Sequence, residues 1–204
     1  IDKDRRRRIE ANHSSVHLLQ YALQQVISNK ITQAGSYVDN EKLRFDFTYS
    51  GKINDDEIVK VEEFLNNEIK KHIIVSTEIM PLDKAKQIGA MALFSEKYSD
   101  TVRVVKIGKS IELCGGTHAN NTSDIKRLAI YNFESKGSNV YRIEATTGSR
   151  IENTLFDIIK PYNDEMMRLL IKAKEIINQA RKMNIKLDFD VEIDNSSPSS
   201  YKDI

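Results

Sequence analysis

The stretch Val38-Asp39-Asn40-Glu41-Lys42-Leu43-Arg44-Phe45-Asp46-Phe47 decides how the first half of the chain is interpreted. Apolar and polar residues alternate over Leu43-Arg44-Phe45-Asp46-Phe47, which is the two-residue period of a strand with one buried face. Asp39-Asn40 supplies residues that tight turns favour. The stretch therefore predicts a β-hairpin within 33–50 whose aromatic face packs into the core.

A helix is predicted on either side of this hairpin. Upstream, we expect Asn12 to cap a helix, because apolar residues recur behind it at spacings of three and four: Val16, Leu19, Leu23 and Val26. Downstream, Asn54 and Glu57 have the spacing of a capping box ahead of a helix over 55–71. Its predicted buried stripe consists of Ile58, Val61, Leu65 and Ile69.

The region that follows reads mainly as strands. We expect them at 73–79, 102–107, 110–113, 128–133 and 140–145, with a helical turn after Pro81. The order helix, hairpin, helix and several strands excludes a regular βαβ alternation. It predicts an α+β fold in which a largely antiparallel sheet is flanked by helices and followed by a C-terminal helical extension.

At about Arg150 the pattern of apolar residues changes from strand-like to helical. We expect Pro161 to interrupt a helix there, and a coiled-coil-like seam follows at four-three spacing: Met166, Leu170, Ala173, Ile177 and Ala180. The seam either packs on the core or pairs with another helix, so helix-mediated self-association is one expectation. The Ser-rich stretch 190–204 reads as a linker. We therefore divide the chain into a domain at 1–149 and a helical extension with a linker tail at 150–204.

The composition excludes several classes of protein. Of the 204 residues, 40% are hydrophobic and 30% charged, as in a folded globular chain. The net charge is +1, so phosphate contacts must come from local patches such as Arg5–Arg8. No apolar run approaches the ~20 residues that span a bilayer, and a single Cys suits a reducing compartment. We expect a cytoplasmic protein with no membrane partner and, because the chain begins with Ile1, a segment of a longer polypeptide.

Three of the four His and the only Cys fall in two short motifs. His13 and His17 are four residues apart on the predicted first helix, so both imidazoles project from one face. Cys114-Gly115-Gly116-Thr117-His118 places a thiol and an imidazole in a glycine-containing loop after a strand. Three nitrogens and one sulfur suit tetrahedral Zn²⁺, so we expect the two motifs to share a metal or a joint catalytic site. His72 is expected to be a helix-end residue and not a ligand.

Five motifs in unbroken order closely resemble the editing domain of alanyl-tRNA synthetase, and the likeness covers about Asp4 to Gly148. They are Asn12-His13-Ser14-Ser15-Val16-His17-Leu18-Leu19, Leu43-Arg44-Phe45-Asp46-Phe47, Gly89-Ala90-Met91-Ala92-Leu93-Phe94, Glu112-Leu113-Cys114-Gly115-Gly116-Thr117-His118 and Arg142-Ile143-Glu144-Ala145-Thr146-Thr147-Gly148. Free-standing alanyl-tRNA editing proteins and the threonyl-tRNA synthetase editing domain share the two His/Cys motifs. The last motif favours the alanyl enzyme.

The resemblance implies a function and its partners. The chain would be an editing fragment that hydrolyses the ester bond of mischarged seryl- or glycyl-tRNA(Ala). Its cofactor would be Zn²⁺ held by His13, His17, Cys114 and His118. The implied partners are the acceptor end of tRNA(Ala) and the remaining domains of the same synthetase, which carry the ATP-dependent ligation.

A small apolar pocket shaped for alanine disfavours serine, which has an added hydroxyl, only by a factor of ~10². A second site must therefore hydrolyse seryl-tRNA and spare alanyl-tRNA. Such an editing site needs a contact that favours the serine hydroxyl. Gln33 and Thr117 are the candidates for this selective contact, and Gln33 matches the family's Gln near the editing pocket. Backbone N–H groups near Gly115 and Gly116 are candidates for stabilising the oxyanion of ester hydrolysis.

Two other functions stay open from the sequence. Four protein ligands close a zinc site, and closed sites are usually structural, so the chain would then be a zinc-stapled, non-catalytic tRNA-binding module. The other is a threonyl-type editing domain. Whether zinc activates water or only positions substrate is also open. Asp46 or Glu112 is a candidate for orienting a ligand His, the alternative for each being a carboxylate on a strand surface.

Overall fold

The computed structural model describes residues 1–92, 98–187, 191 and 196–204. The helices are α1 (Lys3–Val26), α2 (Asp55–Ile69), α3 (Leu82–Gln87) and α4 (Ile151–Lys182). The strands are β1 (Thr32–Val38), β2 (Leu43–Thr48), β3 (Val75–Pro81), β4 (Thr101–Ile107), β5 (Ser110–Leu113), β6 (Leu128–Gly137) and β7 (Val140–Thr147). Leu93 and Phe94 of the third family-like motif, and 190 and 192–195 of the expected linker, lie outside the described residues. The α+β class is confirmed.

The strands form two antiparallel sheets instead of one, in the orders β1-β2-β7-β6 and β3-β4-β5. The predicted hairpin is confirmed as β1 and β2, closed by a hydrogen bond from Asp39 N–H to Lys42 O at 3.1 Å. Phe45 and Phe47 are fully buried, as expected for its aromatic face. β6 and β7 extend beyond their predicted ends because they form a second hairpin, whose turn residues Ser138 and Asn139 both have positive φ.

The first helix begins earlier than predicted. Asp2, and not Asn12, is the N-cap of α1, and its carboxylate accepts hydrogen bonds from the N–H groups of Asp4 and Arg5. Asn12 is buried within α1, where its amide donates to Asp39 O at 2.9 Å. Its oxygen accepts from Thr147 Oγ1 at 2.7 Å. The prediction of a cap was wrong because this polar side chain ties α1 to the hairpin turn and to the end of β7.

The second helix agrees closely with the sequence. The capping box of Asn54 and Glu57 is present, and the four residues of the predicted stripe are buried. α2 packs on α1 and β6. Asn66 accepts from the Leu128 N–H and donates to the Leu128 carbonyl, both at 2.9 Å, which fixes α2 against the start of β6.

The C-terminal helix is continuous through Pro161, so the predicted interruption was wrong. Pro161 is exposed, and water can satisfy the carbonyl that loses its helical partner there. Ile151 and Leu155 pack on Ala129 of β6, whereas the seam residues are partly buried except for buried Ala180. The boundary between 149 and 150 stays a prediction. Within the described ranges, no helix is both long enough and apolar enough to cross a membrane.

The end of the chain, 196–204, contacts α2 and β6 through a short 3-10 helix at Tyr201–Asp203. The Tyr201 hydroxyl donates to Asp55 Oδ1 at 2.8 Å. Glu62 of α2 is buried beneath this segment, and its carboxylate accepts from the N–H groups of Ile130 at 2.6 Å and Tyr201 at 3.3 Å. Burial raises the pKa of Glu62 to about 7 although these donors oppose the rise.

This buried carboxyl makes stability depend on pH. Because the folded pKa of Glu62 is raised above the value of 4.5 for a free side chain, the folded state binds the proton more tightly. The free energy of unfolding should therefore fall as pH rises from 4.5 to 7, by up to about 3 kcal/mol from this group. Urea unfolding at pH 5 and pH 8 should show a smaller fall in Glu62→Gln than in the wild type. The exposed neighbour variant Glu63→Gln should keep the full fall; equal falls in all three proteins would contradict the assignment.

Candidate metal centre

The two His/Cys motifs meet although they are about a hundred residues apart in the chain. His13 and His17 lie on consecutive turns of α1, and Cys114 and His118 lie in the loop after β5. One potential ligand atom from each of the four residues lies within 4.8 Å of the other three. Cys114 Sγ is 3.5 Å from His13 Nε2 and 3.3 Å from His118 Nε2. The fold thus assembles a four-residue cluster from a helix and a distant loop.

The spacing of this cluster fits a tetrahedral metal ion. Zn²⁺ forms bonds of about 2.0 Å to nitrogen and 2.3 Å to sulfur, which keeps neighbouring N and S ligands roughly 3.5 Å apart. The two nitrogen–sulfur distances at Cys114 have this length. Three imidazole nitrogens and one thiolate are also a donor set that suits Zn²⁺. The four residues present can therefore hold such an ion.

The outer nitrogens of two imidazoles are held by neighbouring polar groups. His13 Nδ1 donates to the Thr117 carbonyl at 3.0 Å, which requires the proton on Nδ1 and leaves Nε2 as an acceptor facing the cluster. His118 Nδ1 lies 3.2 Å from Ser14 Oγ, which also accepts from the Ala119 N–H. Outer partners of this kind orient imidazoles for metal binding.

The third imidazole lies next to a buried carboxyl group. Glu112 is fully buried on β5, and its Oε2 lies 3.1 Å from His17 Nδ1. Ser110 Oγ donates to the other carboxylate oxygen at 2.9 Å. Glu112 thus lies beside a cluster His, and its interpretation as a surface residue was wrong. His17 Nδ1 and Glu112 Oε2 form no hydrogen bond within the described chain, so the orienting role of Glu112 stays a prediction. Asp46 instead binds Arg142 of β7 through two hydrogen bonds of 2.7 and 2.9 Å, which agrees with the alternative of a carboxylate on the strand surface.

Burial controls the charge of the cluster. It lowers the pKa of His13, lowers that of His17 to about 3 and lowers that of His118 to about 2. The neighbouring imidazoles and the Arg103 guanidinium lower the pKa values of His17 and His118 further. The imidazoles are therefore neutral near pH 7, which is the form that binds metals. Burial raises the pKa of the Cys114 thiol, so metal binding must expel a thiol proton.

Gly116 is required by the packing of the loop on α1. A Cβ atom there would lie 2.1 Å from His13 Cε1, well inside contact distance. A Cβ at Gly115 would meet nothing within 4 Å, and Gly115 is exposed. The first glycine of the pair thus faces open space, whereas the second lets an imidazole approach the backbone.

The proposed substrate-selective residues differ in their placement. Thr117 adjoins the cluster, because its carbonyl holds His13. Gln33 of β1 donates to Ser36 Oγ at 3.0 Å, and its buried Oε1 has no hydrogen bond among the described residues. None of the hydrogen bonds of Gln33 within the described chain reaches the four-residue cluster, and its place beside a substrate stays a prediction.

The roles of two residues at this site were not predicted from the sequence. Arg103 of β4 donates from Nη1 to the carbonyls of Cys114 at 2.7 Å and Gly116 at 2.6 Å, and so braces the loop. Its only signal in the sequence is that a cation interrupts the apolar strand around 102–105. Ser14 holds both His118 and the following backbone, and its only signal is its position next to His13.

The two glycines provide a matched test of the packing. Gly116→Ala should displace the His13 ring and weaken zinc binding by at least about tenfold, a loss typical when the orientation of a ligand is disturbed. Gly115→Ala, one residue away and in open space, should bind zinc as the wild type does. Competition with a chromophoric chelator measures both affinities. Equal zinc affinities for the two variants would show that the approach of His13 to Gly116 does not matter for binding.

Comparison with known proteins finds a family that matches the part of the chain with the Cys114 loop. The family described as "Threonyl and Alanyl tRNA synthetase second additional domain" matches residues 102–144, which include Cys114 and His118. An alanine–tRNA ligase of Wigglesworthia glossinidia brevipalpis is 44% identical over 193 residues, which are 92% of this chain and 22% of that protein. An alanine–tRNA ligase of Staphylococcus aureus (strain Newman) is 44% identical over 176 residues, covering 86% of this chain and 20% of that protein.

These relatives extend well beyond the region that they share with the chain. The chain spans about a fifth of the length of the curated relatives that it matches. Over that fifth the similarity covers most of the chain. Residues 102–144 of the chain therefore match the threonyl and alanyl tRNA synthetase second additional domain, and over most of its length the chain is homologous to one segment of alanine–tRNA ligases.

Proposed function

We propose that the chain hydrolyses the ester bond of mischarged seryl- or glycyl-tRNA(Ala) at a zinc site formed by His13, His17, Cys114 and His118. The observation that carries this proposal is the convergence of these four residues within 4.8 Å, next to a glycine loop that is partly open to solvent. The relationship to alanine–tRNA ligases supports a transfer RNA as the substrate.

The chemistry of the site suits ester hydrolysis. A zinc ion bound there supplies a Lewis acid that can polarise a carbonyl or lower the pKa of water. The loop supplies backbone N–H groups at Gly115 and Gly116 that can stabilise the negative charge of a tetrahedral intermediate. Thr117, whose carbonyl already orients His13, brings a hydroxyl to the edge of the site.

Selective hydrolysis of seryl-tRNA needs contacts that stabilise the bound serine hydroxyl and give no stabilisation to the alanine methyl group. A polar site discriminates strongly in that direction, because a substrate without the hydroxyl leaves buried polar groups without partners. We propose Thr117 and Gln33 for this contact. The buried Oε1 of Gln33, which has no hydrogen bond within the described chain, offers an acceptor.

The partners follow from the proposed reaction. The acceptor end of tRNA(Ala) is the substrate-bearing partner, and the remaining domains of a synthetase would supply affinity for the rest of the tRNA and the ATP-dependent ligation. A tRNA substrate and a free thiol at Cys114 both fit a cytoplasmic protein. The partly exposed seam of α4 leaves helix-mediated self-association as a further proposal.

A structural zinc site is the main rival. Four protein ligands leave no open coordination position, and such closed sites usually stabilise folds without catalysing reactions. In that case the ion would only join α1 to the loop after β5. A threonyl-type editing domain is the other rival, and seryl-tRNA(Thr) tested beside seryl-tRNA(Ala) separates the two editing specificities.

Removing the sulfur ligand tests the proposed reaction. In the full gene product, Cys114→Ala should reduce deacylation of seryl-tRNA(Ala) by at least about a hundredfold, because the polarising ion and the loop geometry are lost together. Release of radiolabelled serine measures the rate, and circular dichroism checks that the variant is folded. Met91→Ala, which changes a neighbour of β5 outside the cluster, is the control for nearby packing.

Two results would contradict editing. If the wild-type gene product does not hydrolyse seryl-tRNA(Ala) or glycyl-tRNA(Ala), and zinc removal unfolds it, the ion is a structural staple. If the folded Cys114→Ala variant deacylates at the wild-type rate, the cluster is not the hydrolytic site.

The basic start of α1 predicts a salt effect on tRNA binding. Replacing Arg5, Arg6, Arg7 and Arg8 by Gln should flatten the plot of log Kd against log salt by roughly 0.7 to 0.9 for each phosphate contact that is lost. A charge-matched control removes four exposed cations of α4: Lys172, Lys174, Arg181 and Lys182. Filter binding of tRNA at several salt concentrations gives the slopes. Equal slopes for the two quadruple variants would contradict a specific phosphate contact at the start of α1.

A further inference from the structure

One guanidinium group binds two backbone carbonyls of the same short loop. Nη1 of Arg103 lies 2.7 Å from Cys114 O and 2.6 Å from Gly116 O. The Arg103 side chain also reaches Thr77 Oγ1 of β3 through Nη2 at 3.4 Å, and its own carbonyl accepts from the Cys114 N–H at 3.1 Å. The two carbonyls therefore point toward one fixed cation on β4.

This arrangement fixes the direction of two amide N–H groups. In a trans peptide the N–H of a residue points opposite to the carbonyl of the residue before it, and the chain has no cis peptide among the described residues. The Gly115 N–H and the Thr117 N–H must therefore both point away from the Arg103 guanidinium. Neither has a hydrogen bond to any described group. Both unpartnered donors thus lie on the side of the loop that faces away from Arg103.

The amide between these two is not held in the same way. The Gly116 N–H follows the Gly115 carbonyl, which Arg103 does not bind, so its direction is not set by the guanidinium. Arg103 therefore sets the direction of the Gly115 and Thr117 N–H groups alone. Gly115 is exposed, and no atom would crowd even a side chain there, so a substrate carbonyl has room to approach.

We infer that Arg103 is a positioning residue that aligns the N–H groups of Gly115 and Thr117 into a two-donor site for the oxyanion of ester hydrolysis. The inference rests on the proposed deacylase function and refines it, because it replaces the Gly116 N–H by that of Thr117 and adds a residue outside the loop. Arg103 itself does not touch the substrate.

The step that this site serves can be written in full. The oxygen of a water molecule bonds to the ester carbonyl carbon, the carbonyl electron pair moves onto its oxygen, and the water loses a proton. The Gly115 and Thr117 N–H groups donate to that oxyanion. On collapse, the bond between the carbonyl carbon and the ribose oxygen breaks, and the ribose oxygen takes up a proton to leave as the tRNA hydroxyl.

An arginine suits this role because its planar guanidinium makes several hydrogen bonds of fixed relative direction. A lysine at 103 would keep the charge but, as a flexible point charge, would not hold two carbonyls in one orientation. The positive charge of Arg103 also favours an oxyanion nearby, so geometry and charge act in the same sense.

The first experiment separates catalysis from binding in the full gene product. Arg103→Met should lower kcat for seryl-tRNA(Ala) by about 10²-fold, the usual effect of losing an oxyanion donor, with KM and zinc content unchanged. Arg103→Lys should give an intermediate kcat. Lys106→Met, which removes a cation from the same strand, should behave as the wild type. An unchanged kcat in Arg103→Met, or a fall that follows loss of zinc, would overturn the inference.

The second experiment removes the donors and leaves every side chain in place. Replacing the backbone N–H of Thr117 by an ester oxygen, through incorporation of the matching α-hydroxy acid, should lower kcat without lowering zinc affinity. The same replacement at Gly116, whose N–H follows a carbonyl that Arg103 does not bind, should lower kcat less than the replacement at Thr117. An ester at Thr117 with wild-type kcat would overturn the inference. If the unmodified protein does not deacylate at all, the proposed function fails, and the two failures are thereby distinguished.

Discussion

The structure depends on the convergence of four buried or half-buried metal-ligating side chains that carry no charge near neutral pH. The Thr117 carbonyl requires that His13 carry its proton on Nδ1, so Nε2 of His13 faces the cluster as an acceptor. The Cys114 thiol lies between Nε2 of His13 and Nε2 of His118. Burial lowers the pKa of the imidazoles and so keeps them in the neutral form that binds metals. A bound cation would give all four side chains one common partner.

The rest of the fold holds the two halves of the cluster in register. α1 contacts strands of both sheets, and Asn12 ties it to the hairpin turn and to β7. Glu112 approaches His17 from β5, while Arg103 fixes the loop from β4. The second sheet thus serves as the base on which one helix and one loop are brought close enough for their side chains to share a metal ion.

The sequence predicted the elements better than their limits. Periodicity located the first hairpin, α2 with its capping box and most strands, because each pattern is local. The prediction that Asn12 caps the first helix was wrong, because a buried Asn that binds a distant carbonyl looks the same in sequence as a cap. The predicted interruption at Pro161 was wrong, because Pro161 lies on an exposed part of the helix. Exposure lets water bind the carbonyl that loses its helical partner, and it is a tertiary property that the local sequence does not show. Arg103 was missed because its partners are backbone carbonyls, which carry no sequence signal.

The metal content and ligand set of the purified chain test the central claim most directly. X-ray absorption at the zinc edge, combined with elemental analysis, counts the ions and identifies their neighbours. One zinc per chain with one sulfur near 2.3 Å and three nitrogens near 2.0 Å would agree with the shared site described above. A protein that folds without zinc and does not take it up at stoichiometric concentrations, or a zinc shell without sulfur, would contradict it.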